Sequence, residues 1–218
     1  MNYEHHIYVR QVGLKTMDLY HGELDGLNGP KTRAAYAASS RAVRESVAPK
    51  KDPYAAPAAG LIKPPAPGDR RRVFGKPGVK GGHTPPMAYF KPPYEMEFTW
   101  GGRVKRIGCH QLIARPLRAA LTELSEYGAA WLRGHGLHLY AGCYNPRKSR
   151  GGSGMSDHAW AIAIDLNPAE NGNYTSWPGA AKMPVEVVEL FRRHGFQVGF
   201  KRGASRRDMM HIAFVNRK

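Results

Sequence analysis

The chain has 218 residues, with 33 Lys or Arg against 17 Asp or Glu, a formal charge of +16, and 42% hydrophobic residues. That length gives one or two domains with enough chain for a real core. No apolar run nears the roughly 20 residues of a membrane-spanning helix, and two cysteines, Cys109 and Cys143, exclude a disulfide-dense scaffold or a four-cysteine zinc ribbon. The opening MNYEHHIYVR lacks a cationic segment leading into an apolar one, so no cleaved secretory signal is expected. The cationic excess predicts an anionic partner, and nucleic acid, anionic membrane and anionic wall polymer all satisfy it.

Residues 1–47 carry six basic and five acidic side chains. Val9, Val12 and Met17 share one face of a short helix. The stretch Tyr20 to Pro30 holds Gly22, Gly26 and Gly29 and an Asp25-Gly26 pair, the composition of tight turns. Asn28 or Gly29 caps a second helix that has Pro30 near its first position and runs on through alanines. Such a helical unit is too small to be an enzyme by itself, and a binding or docking role is expected.

Residues 48–96 hold eleven of the 17 prolines. Proline fixes φ and removes a backbone donor, so helices and central strands do not persist through such a stretch. It reads as a basic Pro/Gly-rich linker, with Val73–Phe74 and Tyr89–Phe90 apolar enough to dock.

Residues 97–218 carry 18 basic and nine acidic side chains. Arg115-Pro116-Leu117 opens a helix whose apolar face is Leu117, Leu121, Leu124, Gly128 and Trp131. Leu137–Ala141 and Trp160–Leu166 alternate as strands. A helix over Pro184–His194 stops at Gly195. Gln197–Phe200 and His211–Val215 close the sheet. Helices and strands mix without strict alternation, which predicts an α+β domain with a mixed, mostly antiparallel sheet and flanking helices.

His158, Asp165, Asp208 and His211 stand out. Two imidazoles and a carboxylate form a suitable shell for one catalytic zinc ion with a place left for water. A further carboxylate can take the proton of that water. His211 reaches Asp165 if their strands are neighbours. Spacing alone leaves the blander alternatives open, since His-x6-Asp and Asp-x-x-His also occur by accident or in solvated loops. His5, His6, His21, His83, His135 and His138 read as surface or packing residues, and His110 and His194 as helix-edge residues.

The words around these residues are more specific. Ser156-x-His158-x-x-Ala161-x-Ala163-x-Asp165, followed by Asp208-x-x-His211 and preceded by Gly142-x-Tyr144-x-x-Arg147, resembles the VanY-type zinc peptidases, over about residues 105–216. These include D-alanyl-D-alanine carboxypeptidases and the L-alanyl-D-glutamate endopeptidases of phage endolysins. The resemblance implies that His158, Asp165 and His211 bind Zn2+, that Asp208 is the general base, and that Arg147 holds the scissile carbonyl or a substrate carboxylate. It assigns Ser156 and Tyr144 to the substrate side of the site, Ser156 as a supporting hydrogen-bonding group. Without the resemblance, Arg147 is one of a solvated basic run and Ser156 caps a turn. Ala161 stands where the motif usually has Gly, and Ile212 where an aromatic often follows the last ligand. Aspartate at 208, in place of the glutamate of carboxypeptidases, leans toward the endopeptidases.

The spacing Gln11-x-x-Leu14 … Tyr20-x-Gly22-x-Leu24-Asp25-Gly26-x-x-Gly29-Pro30-x-Thr32-Arg33 is similar to the small three-helix peptidoglycan-binding module that accompanies wall-lytic enzymes, with Ser39-Ser40 in place of a usual Phe-Gln pair. Together the resemblances imply a monomeric endolysin-type peptidoglycan hydrolase: a wall-binding module (1–47), a linker (48–96) and a zinc peptidase (97–218). It would be made in the cytoplasm and act at the wall after release, with electrostatic contact to anionic wall polymer or membrane surface. A D-alanyl-D-alanine carboxypeptidase and a virion-associated wall-lytic protein are the near alternatives. A basic nucleic-acid-binding protein is the distant one; Arg70-Arg71-Arg72 permits it, but no recognition motif accompanies the charge, so no specific nucleic acid is expected.

Overall fold

The computed structural model describes residues 62–150, 153–172, 175–177, 181–199 and 206–217, and, nearer the start, 7, 11–12, 14–15, 18–27, 29–35 and 38. Val9, Met17, Asn28, Ser39, Ser40, Phe200 and the stretch 48–61 lie outside the described residues. The chain divides into two compact units, Met1–Ala59 and Gly60–Lys218.

In the first unit, helical residues at 11–12 and 14–15 precede an irregular stretch, 19–27, and a helical run, 30–35, that starts at Pro30 as its fixed φ favours. The turn stretch is organised by one buried amide. Gln11 Nε2 lies within hydrogen-bonding distance of Asp25 Oδ1 (2.6 Å), Thr32 Oγ1 (2.9 Å) and the Leu27 carbonyl (3.1 Å), among which its two N–H groups are shared, while its Oε1 accepts from Gly26 N at 2.9 Å. Gln11, Asp25, Gly26 and Thr32 are thus the members of the sequence motif that hold the loop to both helical runs. Leu14, Tyr20 and Ala35 form the small apolar core beside them.

In the second unit a 3-10 turn, Pro67–Asp69, leads into helix α1, Arg70–Phe74. Strand β1, Met87–Phe90, pairs antiparallel with β3, Ile107–His110. Strand β2, Glu97–Phe98, pairs parallel with β4, Leu139–Tyr140. Helix α2, Gln111–Ser125, is followed by α3, Ala129–Gly134. Strand β5, Ala163–Asp165, precedes the short helix α4, Pro168–Asn171, and β6, Thr175–Ser176. Helix α5, Val185–Arg193, then leads to β7, Gln197–Val198, β8, Arg206–Arg207, and β9, His211–Ala213. Among the described residues the sheet that matters for the site has the order β5-β9-β7, antiparallel throughout. The expected α+β architecture of short, mostly antiparallel sheets and flanking helices is present in this unit.

Helix α2 starts earlier than the periodicity from Pro116 predicts. His110 caps it, its Nδ1 accepting from Leu112 N at 3.2 Å, and Pro116 sits inside the helix. An interior proline costs a helix about 3 kcal/mol. Burial offsets this: Ile113, Leu117, Leu121 and Leu124 are all fully buried along one stripe, and each such side chain contributes about 1.5–3 kcal/mol. The helix ends before Gly128, whose φ of 84° breaks it, so Trp131 belongs to α3 rather than to a continuation of the same face. The strand predicted from Trp160 begins only at Ala163, because Trp160 lies in a 3-10 turn.

The domain boundary also differs from the sequence reading. Residues 62–96 belong to the second unit, and the linker reading does not hold for them. Phe74 and Met96 lie in its core, β1 covers one edge of β3, and Trp160 Nε1 donates to the Gly75 carbonyl at 2.9 Å. Proline forbids helix interiors and central strands, but it permits the edge strand and the extended segments found here.

Helices α2 and α5 are tied at the surface by Glu123, which accepts hydrogen bonds from Arg193 and, at 2.7 Å, from His194 Nε2. Partial burial alone would raise the Glu123 pKa; the bonds to His194 and Arg193 win and lower it. A lowered carboxylate pKa adds stability above the ordinary glutamate value of about 4.3 and loses it as the pH falls below that value. Glu123→Gln is therefore expected to lower the thermal midpoint at pH 7, with the difference from the parent shrinking as the pH falls below the ordinary glutamate value. Equal midpoints at pH 7 would contradict this.

Candidate metal centre

Antiparallel pairing brings the site together. Asp165 is the direct cross-strand partner of His211, so both side chains leave the same face. Ala163 and Ala213, the next pair on that face, are small, while Ile164, Ile212 and Val198 occupy the opposite, core-facing side. His158 comes from the 3-10 turn Asp157–Trp160, which Ser156 caps by accepting from His158 N at 3.4 Å. The turn ends at Ala161 in the left-handed conformation (φ 55°, ψ 36°). That conformation accounts for glycine at this place in the resembled motif, since an L-residue there is strained by about 1–2 kcal/mol.

Among the described residues, His158, Asp165 and His211 form a group whose candidate ligand atoms all lie within 4.8 Å of one another. His158 Nε2 is 3.1 Å from His211 Nδ1 and 3.2 Å from Asp165 Oδ2, and His211 Nδ1 is 3.2 Å from Asp165 Oδ1. Ligands about 2.0–2.1 Å from a tetrahedral zinc stand about 3.3–3.4 Å from each other, so the spacing fits that ion.

The outer nitrogens of both rings are engaged. His158 Nδ1 donates to the Cys143 carbonyl at 2.7 Å, and His211 Nε2 donates to Asp157 Oδ2 at 3.1 Å. A neutral imidazole has one N–H. With each spent outward, two nitrogen lone pairs and a carboxylate converge with no hydrogen among them. Such a set requires a cation, whether a proton or a metal ion. The electrostatics agree: burial would lower the His211 pKa, but the hydrogen bonds and charges of Asp157 and Asp165 raise it to about 9. Asp165 is likewise held well below the usual carboxylate range by His158 and His211 despite its burial. The donor set, two imidazoles and a carboxylate, is suited to zinc.

The other predicted residues are placed differently. Asp208 is buried on the turn entering β9, and its carbonyl accepts from His211 N at 3.1 Å; it is not one of the three clustered residues. Ser156 is the turn cap. The segment 141–147 runs beside the motif: Asn145 N bonds the His158 carbonyl at 3.0 Å, Ala141 N the Asp165 carbonyl at 2.9 Å, and Ser156 N the Arg147 carbonyl at 3.0 Å. Arg147 is partly exposed, with its guanidinium on the Lys148 carbonyl at 3.1 Å. Tyr144 packs on the core, its ring against Gly78, where a Cβ would meet the hydroxyl at 2.1 Å. Cys109 and Cys143 are both buried free thiols. Asp157, Arg70 and Arg217 are missed by the sequence reading. Asp157 is adjacent to a motif histidine and Arg70 opens a basic run, but only the fold brings them together.

Residues 150–214 match the family model described as D-alanyl-D-alanine carboxypeptidase. No curated protein and no solved structure matches the chain. The matched stretch contains all three clustered residues and Asp208, and it supports a peptidase of the bacterial cell wall. Peptidases of this family typically depend on zinc, which the His-Asp-His cluster suits.

Proposed function

We propose that this chain is a zinc-dependent peptidase of peptidoglycan stem peptides, of the endolysin type, with the L-alanyl-D-glutamate bond as its target. The observation that carries the reading is the convergence of His158 Nε2, His211 Nδ1 and the Asp165 carboxylate, with both outer N–H groups already committed, inside the stretch that matches a wall-peptidase family. Zinc bound there would supply Lewis acidity for the scissile carbonyl and for an attacking water. Asp208 takes the proton of that water and passes it to the leaving amine. Arg147, whose backbone adjoins Ser156 two residues from His158, holds the substrate carbonyl or carboxylate through its planar fork. Tyr144 and Ser156, close in sequence to Arg147 and His158, complete the substrate side of the site. The first unit and the +16 charge hold the enzyme, as a monomer, on anionic wall, which raises its effective concentration on an insoluble polymer.

The description of the matched family favours a second reading, removal of the terminal D-alanine. Digestion of purified sacculi separates the two. Turnover is expected to fall to background with a chelator, to return with added zinc, and to be absent in His211→Ala. New L-alanine carboxyl termini and D-glutamate amino termini support the endopeptidase, and free D-alanine the carboxypeptidase. Turnover indifferent both to chelation and to His211→Ala would remove the proposal.

A further inference from the structure

We propose that Asp157 is a positioning residue of the metal centre: clamped between Arg70 and Arg217, it takes the Nε2–H of His211 and so commits Nδ1 of that ring to the ion. The inference rests on the zinc reading above and adds to it a residue that stands at a variable position of the first motif.

Asp157 is 2% exposed. A buried carboxylate is costly unless its oxygens are satisfied, and each oxygen here has a guanidinium. Arg70 Nη1 reaches Oδ1 at 2.5 Å, and Arg217 bonds Oδ2, the oxygen that also accepts from His211 Nε2 at 3.1 Å. Arg70 is itself fixed: its Nε donates to the Pro67 carbonyl at 2.8 Å, and its guanidinium lies 4.5 Å from the Trp160 ring centroid. Arg217 is anchored through its backbone N, which donates to Gln197 Oε1 at 2.9 Å. The carboxylate is thus held from α1 on one side and from the chain beyond β9 on the other.

An imidazole ligates through either nitrogen, and the nitrogen that keeps its proton is the one facing the better acceptor. For His158 that acceptor is a backbone carbonyl, which no side-chain substitution removes. For His211 it is Asp157. The carboxylate selects the tautomer, stops the ring from turning over and makes Nδ1 a stronger donor. The two arginines hold it turned outward, so that it supports the ligand without becoming one.

The test uses the full chain. In the cadmium-113-loaded, nitrogen-15-labelled protein, His211 is expected to show metal coupling at Nδ1 and a proton on Nε2; coupling at Nε2 or a proton on Nδ1 overturns the proposal without any variant having to fold. Zinc affinity, measured by competition with a chromophoric chelator, is expected to fall about 10–100-fold in Asp157→Ala. It should fall less in Asp157→Asn, whose carboxamide oxygen still accepts the N–H. A folded Asp157→Ala protein with the parent's zinc affinity also overturns the proposal. A parent chain that binds no zinc would overturn the metal reading itself, whereas parent-level affinity with the opposite tautomer would overturn only the role of Asp157.

Discussion

A chain beginning at Glu97, the boundary that proline content suggests, is expected to lose both cooperative unfolding and zinc binding, whereas one beginning at Gly60 should keep them. The shorter chain lacks Phe74 and Met96, which are 2% and 0% exposed in the core. Leaving one such cavity costs about 2–5 kcal/mol. It also lacks β1, which bonds β3 across four registered pairs, and Arg70, which leaves Asp157 with one guanidinium fewer in a buried site. Breaking a buried ion pair costs about 3–5 kcal/mol. These losses are not strictly additive, but together they match the whole stability of a typical domain, about 5–15 kcal/mol. Circular dichroism on heating and a zinc titration of the two chains decide the matter. If the chain from Glu97 melts cooperatively and binds zinc as tightly as the chain from Gly60, residues 60–96 are a linker after all.

The contrast with the three clustered residues shows what a sequence carries. His158, Asp165 and His211 are legible because they stand in motifs that resemble a known family, and the structure clusters them. A 3-10 turn and a three-residue strand fix the first two, and one antiparallel register places the third opposite the second. Within β5 the alternation Ala163-Ile164-Asp165 separates the core face from the face that holds the cluster. The Asp157 clamp is not local: its members come from α1, the turn at 157, β9 and the chain after it. Nothing in the spacing of Arg70 and Asp157 reports that they meet. Proline content says what a segment cannot form, not where an extended segment docks, and Phe74 is the apolar residue that marks the docking. Pro116 misleads in the opposite direction. It looks like a first helical residue, and only the buried stripe from Ile113 onward shows that packing carries the helix through it.

The second large effect is expected at Asp208. The bond from His211 N to the Asp208 carbonyl at 3.1 Å closes a tight turn, which holds residue 208 at the mouth of β9 close to the candidate ligand that follows it. Asp208 is 6% exposed, yet it is outside the cluster of ligand atoms. A buried carboxylate that enters the strand of a candidate ligand, itself outside the candidate cluster, is suited to proton transfer. Asp208→Asn keeps the shape and one oxygen acceptor while removing the charge and the basic site. Zinc affinity is expected to change far less than turnover, since no candidate ligand is lost. Turnover of a soluble stem peptide should fall by about 10²–10⁴, the range that general-base catalysis supplies. The thermal midpoint distinguishes this from local unfolding and should move little. Turnover within tenfold of the parent would mean that another group takes the proton. Loss of zinc along with turnover would make Asp208 a ligand, and the Asp-x-x-His turn would then supply two groups to the ion instead of one ligand and one base.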